Sequence, residues 1–135
     1  MEARCRAFMD DVERRDLPAL LGWFSAEAEM WIPPRPAVHG ARRVVALLRA
    51  IFRLYPEIHW KVTAVHAIDA QRCIYFTDSW GTIGRDTPYC NKIATVIRFD
   101  ADGRIAFLSD YFKDTSIFAA GRSRFDPAEE LATED

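Results

Sequence analysis

A carboxylate set in an apolar strand face has the most chemistry to offer in this sequence, and the segment GRIAFLSDYFKD holds one. Read as a strand, it puts Ile105, Phe107, Ser109 and Tyr111 on one face and Ala106, Leu108, Asp110 and Phe112 on the other. Burying an unpaired charge is costly, so Asp110 is expected to find a partner, reach water, or raise its pKa. An acid poised nearer neutrality can take and return a proton at working pH. Moving a proton from the carbon α to a carbonyl onto another atom needs little more. Aldol closure and double-bond isomerisation both run on that step without a cofactor. The structural alternative is an aspartate bonded to a helix N-terminus, or paired with Arg or Lys from the tail.

A second acid, Asp78 in YFTDSW, shares strand parity with Phe76 and Trp80. If it faces the same hollow as Asp110, the two would push each other's pKa values apart, leaving one proton donor beside one base. A slip of one residue would turn it to the opposite face. Phe76 and Trp80, with Trp60 opposite, form an aromatic row that can stack on a flat apolar ligand or simply fill a core. Asn91, in step with Ile93 and Thr95, offers a polar anchor for a ligand oxygen. Met30 and Ile32 share a face in AEMWIPP, whereas Trp31 points the other way. His39 reads as a turn residue. His66 shares parity with Trp60 and Val62 unless a bulge intervenes.

The elements that must position these groups are legible from period and punctuation. Cys5, Phe8, Met9 and Val12 make one helical stripe, and Asp16 caps a second short helix with Pro18 in its first turn. EAEMWIPP is a short strand stopped by two prolines. ARRVVALLRAIFRLY is a third helix with Val44, Val45, Leu48, Ile51, Phe52 and Tyr55 on its apolar side, ended by Pro56. From residue 57 the period changes. EIHWKVTAVHAI, RCIYFTDSWGTI, YCNKIATVIRF and RIAFLSDYF are four strands joined by turns, an antiparallel meander. The expected fold is α+β: a strongly curved antiparallel sheet, one short strand plus the meander, with three N-terminal helices over its concave face. Residues 1–120 form one domain in this reading, and 121–135 a polar tail in which Asp126, Pro127 and Glu129 begin one short helix.

Composition narrows the function classes. Half of the 135 residues are hydrophobic, which argues against a disordered chain, and a net charge of −2 gives no strong basic footprint for nucleic acid or anionic lipid. Three cysteines and three histidines lack metal-ligand spacing, so no metal is expected. The early charges of MEARCRAFMDDVERRD do not suit a signal peptide, and no apolar run is long enough to span a membrane. A cytoplasmic location is expected. Tyr75, Thr77, Ala94, Val96, Phe107 and Tyr111 are assigned to the outer sheet face, whose apolar character predicts a homodimer.

The order of elements, with RDLPALLGWFSAEAEMW, the glycine before the third helix and DADGRI followed by SDYFKD, resembles the nuclear-transport-factor-2-like superfamily over about residues 2–120. Its SnoaL-like branch, the polyketide cyclases, is the nearest in flavour, and SDYFKD is similar to the end of limonene epoxide hydrolase. The resemblance implies a cone-shaped pocket between sheet and helices. The epoxide hydrolase would place its water-activating aspartate at Asp110 and its proton donor at Asp78. Its arginine, however, would fall on Phe76, and its tyrosine and asparagine on Met30 and Ile32, so epoxide hydrolysis is disfavoured. The ketosteroid isomerase set would fall on Ile32, Phe8 and Thr95 and is absent. The cyclases require one late pocket acid, which Asp110 matches.

The expected function is a cofactor-independent cyclase or isomerase for a small hydrophobic carbonyl compound. Asp110 and Asp78 are its candidate acids, and Met30, Ile32, Trp60, Phe76, Trp80, Asn91, Leu108 and Phe112 its candidate pocket. The alternative is a binder of small hydrophobic molecules without turnover.

Overall fold

Cys5, Phe8 and Val12 are buried along the helix α1 (Glu2–Arg14) at the spacing that lets one stripe face a core. Arg15 closes it in the left-handed conformation, φ 58°. The Asp16 carboxylate then accepts a hydrogen bond from Ala19 N at 3.1 Å, capping α2 (Leu17–Trp23). The chain turns into β1 (Phe24–Trp31), passes two prolines, and forms the two-residue strand β2 (Val38–His39) before α3 (Ala41–Leu54). The meander follows as β3 (Ile58–Ala67), β4 (Arg72–Ile83), β5 (Thr87–Phe99) and β6 (Ile105–Phe112), and then a short helix, α4 (Ser116–Gly121). The computed structural model describes residues 1–121, with side chains to 118. The helix expected at Asp126, Pro127 and Glu129 lies outside the described residues.

One six-stranded sheet runs in the order β2-β1-β6-β5-β4-β3. The meander is antiparallel as expected, but β1 lies parallel to β6, so the sheet is mixed. β2 and α4 are additional to the expected elements. Helices α1 and α3 pack on one face of the curved sheet, over β3 and β1 respectively. Phe8, Leu20, Met30, Leu47, Tyr75 and Ile97 are fully buried between the layers. Cys5 from α1 meets Cys73 from β4 there, Sγ to Sγ 3.0 Å.

Two register shifts decide which side chains look inward. One lies between Val62 and Ala64. Beyond it Val65 joins Trp60 and Val62 at the core, while exposed His66 meets Phe76 edge-on at 5.9 Å. The other accompanies the start of β6 and allows Ile105 and Leu108 both to be buried despite their odd spacing. On β4 the buried set is Cys73, Tyr75, Thr77 and Ser79. Tyr75 and Thr77 therefore belong to the inner face, and the expected outer-face set is corrected to that extent.

Candidate functional site

Between the sheet and its helical cover lies a cavity of about 140 Å³. It is partly open to solvent, so a guest can extend beyond the benzene size that an enclosed apolar cavity of roughly 150 Å³ accepts. Helix α1 supplies Phe8, Met9 and Val12, and α3 supplies Leu48, Ile51, Phe52 and Tyr55. Ile32, Pro33, Pro34 and Arg35 close one side, and Ile117 and Phe118 of α4 another. The Phe118 ring packs edge-on against Phe112, centroids 5.0 Å apart, which fixes α4 to the last strand.

Asp110 lines this cavity from β6, between Leu108 and Phe112. Its surface is only partly covered because it faces a hollow, yet the surrounding protein removes its carboxylate from bulk water. Desolvation pushes its pKa up to about 6, against the opposing effect of Thr95, whose hydroxyl donates to Oδ1 at 2.6 Å. Thr95 faces Asp110 across the β5–β6 ladder, and Tyr75 faces Thr95 across β4–β5. Three polar side chains thus form one row across the cavity wall. The Tyr75 hydroxyl also donates to Met9 Sδ at 3.3 Å, and burial holds its pKa well above that of an ordinary tyrosine. An acid whose pKa is raised toward neutrality, oriented by a hydroxyl and walled by apolar groups, is equipped to exchange a proton with a bound molecule.

Met30, Ile32, Trp60, Leu108 and Phe112 line the cavity with Asp110. Asp78, Phe76 and Trp80 do not: β4 turns them to the outer face. Asp78 accepts a hydrogen bond from Lys92 Nζ at 2.8 Å there, and the exposed Trp80 ring stacks on His59. The expectation of a second acid across the pocket is therefore corrected. Aromatic side chains marked the wrong face of β4, because that strand has large residues on both. Asn91 is buried, but its amide is already engaged. Nδ2 donates to Asp114 O at 2.9 Å, and Oδ1 accepts from Lys92 N and Asp114 N, each at 3.0 Å. It ties β5 to the chain after β6 instead of meeting a ligand. Sequence reasoning missed Tyr75, Thr77 and Tyr89 as cavity residues, although the parity of Asn91, Ile93 and Thr95 on β5 would have selected Thr77 and Tyr75 once the β4–β5 register was known.

Among the described residues no helix is long and apolar enough to cross a membrane. Known proteins give the geometry a context. No curated protein matches the chain. Among solved structures, an NTF2-like protein of unknown function from Burkholderia pseudomallei is 19% identical, with a TM-score of 0.78 over 87% of this chain and 94% of that one. An LEH-like epoxide hydrolase from M. tuberculosis is 21% identical, with a TM-score of 0.69 over 98% of this chain and 89% of that one. A SnoaL-like protein of unknown function from Burkholderia thailandensis is also 21% identical, with a TM-score of 0.68 over 84% and 94%. At these identities the likeness is one of fold. The SnoaL-like domain, as a sequence family, matches residues 5–108, more than half of the chain. The chain therefore belongs to the SnoaL-like family.

Proposed function

We propose that this protein is a cofactor-independent acid/base enzyme of the cyclase or isomerase type, acting on a small hydrophobic carbonyl compound. The observation that carries the reading is the carboxylate of Asp110 in an apolar cavity, with its pKa pushed up to about 6. At neutral pH the group is mostly ionised and acts as a base. It removes a proton α to the carbonyl, the electron pair moves to the carbonyl oxygen as an enolate, and the neutral acid is left holding the proton. Returning that proton to a different carbon completes an isomerisation. Attack of the enolate on a second carbonyl, followed by proton transfer to the new alkoxide, completes an aldol cyclisation. Thr95 keeps Oδ1 engaged and orients the carboxylate as a positioning residue. Met30, Ile32, Trp60, Leu108 and Phe112 hold the apolar body of the substrate. The family includes cofactor-independent cyclases and isomerases as well as epoxide hydrolases. The loss of polar groups at Met30 and Ile32 disfavours hydrolysis. We further propose that the protein works in the cytoplasm and as a homodimer joined through the outer sheet face.

Hydrogen–deuterium exchange α to the carbonyl of 1-indanone or 2-tetralone, followed by NMR in D₂O, tests the chemistry. The wild type should accelerate exchange, with an ionisation near pH 6, and Asp110→Asn should lower the rate about 100-fold or more. Exchange no faster than in buffer, or undiminished in the variant, would overturn the catalytic assignment. The predominance of apolar side chains in the lining favours a second reading, a binder without turnover. That reading would be supported by ketone binding without exchange.

A further inference from the structure

Thr77 has a buried hydroxyl that the folded protein leaves unused. It is 2% exposed and lines the cavity, and its Oγ1 has no hydrogen-bond partner among the described residues. A threonine on a strand normally satisfies its hydroxyl with a carbonyl, a neighbouring side chain or water, and valine would fill the same space without the unmet group. Its position relative to Asp110 is fixed by the sheet. Asp110, Thr95 and Tyr75 form one row across β6, β5 and β4, and Phe112, Ile93 and Thr77 form the next inward-facing row. Thr77 therefore stands two strands away and two residues along, about 10 Å across and about 7 Å down the strand direction between backbones. Ile93 of β5 stands between the two strands, beside Thr77 in its row, and Phe112 flanks Asp110 on β6.

We infer that Thr77 is a second polar anchor of the cavity, and that its ligand is a flat apolar molecule with hydrogen-bonding oxygens at both ends. One oxygen meets Asp110, and the other meets Thr77 on the far side of Ile93. Oγ1 is sealed from solvent. Rotation about the Cα–Cβ bond exchanges hydroxyl and methyl, so a ligand oxygen can claim the group when it arrives. The selectivity follows from that exchange. A ligand carrying the second oxygen makes a bond the protein cannot make alone, whereas one lacking it leaves the hydroxyl as it was. This inference rests on the Asp110 cavity being the binding site, and it adds the second functional group to the substrate class.

The test uses two fluorescent probes, 2-naphthol with one hydroxyl and 2,6-dihydroxynaphthalene with one at each end. Both are titrated against wild type, Thr77→Val, Thr77→Ser and Asp110→Asn. The wild type should bind the dihydroxy probe about five-fold more tightly, the ratio expected for one additional net hydrogen bond. Thr77→Val should bring the two probes to equal affinity without weakening 2-naphthol, and Thr77→Ser should restore the preference. Asp110→Asn should weaken both probes. An unchanged preference in Thr77→Val, with both probes still dependent on Asp110, would overturn the second anchor and leave the cavity reading intact. Binding of neither probe, or binding indifferent to Asp110, would overturn both. Circular-dichroism melts of each variant confirm that affinity is compared between folded proteins.

Discussion

At the scale of single residues, the raised pKa of Asp110 has a consequence for stability that is independent of any substrate. Its folded value of about 6 lies above the ordinary 3.8, so the native state disfavours the charged form. The sign follows from linkage: the penalty is absent below pH 4, grows as pH rises between 4 and 6, and is complete above 6. The full penalty is roughly 3 kcal/mol. Asparagine keeps an oxygen to accept from Thr95 and removes the charge. Urea unfolding should therefore show Asp110→Asn more stable than wild type at pH 8, by up to about 3 kcal/mol, and equal to it near pH 4. Equal stability at both pH values would mean that the carboxylate is solvated as any surface acid. Thr77→Val should likewise stabilise, by about 1 kcal/mol, since it removes a buried hydroxyl with an unmet bond. Stability gained at both positions against the function proposed for them is the pattern expected of a site. Asp110 was legible in the sequence because both of its same-face neighbours, Leu108 and Phe112, are apolar. Thr77 was not, because the large residues of β4 drew the inner face to Phe76 and Trp80 and left Thr77 on the outer one.

At the scale of elements, the cavity depends on how the ends of α1 and α3 are joined to β3. Arg15 makes that joint. Its guanidinium donates to the carbonyls of Phe52, Tyr55 and Ile58 at 3.2, 3.1 and 2.7 Å, and lies over the rings of Phe52 and Trp60. It satisfies the last turn of α3 and the first residue of β3 together, which no shorter side chain reaches. Arg15→Ala should cost about 2–3 kcal/mol in chemical denaturation, with Arg15→Lys recovering only part. A loss under 0.5 kcal/mol would show that water replaces the guanidinium freely. At the same end of β3, Gly81 of β4 pairs with Ile58 and has φ 146°, and a Cβ there would stand 2.0 Å from the Glu57 carbonyl oxygen. The boundaries of α1, α2, α3 and the meander were readable because capping residues, prolines and turns coincide with changes of period. Face assignment was less secure. β4 alternates Cys73, Tyr75, Thr77 and Ser79 against Ile74, Phe76, Asp78 and Trp80. Hydrophobicity alone favours the second set, but the packing of α1 on the sheet selects the first. The bulge after Val62 and the parallel pairing of β1 with β6 depend on distant partners and leave no local mark.

At the scale of the whole molecule, the large side chains that β4 keeps out of the cavity become a surface. Tyr111, Ala94 and Phe76 lie in one row across β6, β5 and β4, with Tyr111 60% and Phe76 39% exposed. The small Ala94 between two rings leaves a trough, bordered by Asp78 and Lys92. Trp31, 49% exposed, stands one inward-outward repeat further along on β1, beside Ser109. Aromatic side chains aligned on a sheet face bury a large area at little entropic cost when a second sheet covers them. A two-fold arrangement through this face would bring the same rows together. The cavity lies on the other side of the sheet, so association and ligand binding should be separable. Light scattering at micromolar concentration should give twice the chain mass for wild type. Ala94→Glu, which places a charge in the trough, should give the monomer mass while retaining the affinity for 2-naphthol. A monomeric wild type would remove the dimer. A dimer indifferent to Ala94→Glu would move it to another face, because a buried unpaired carboxylate between two sheets costs more than a rim contact returns.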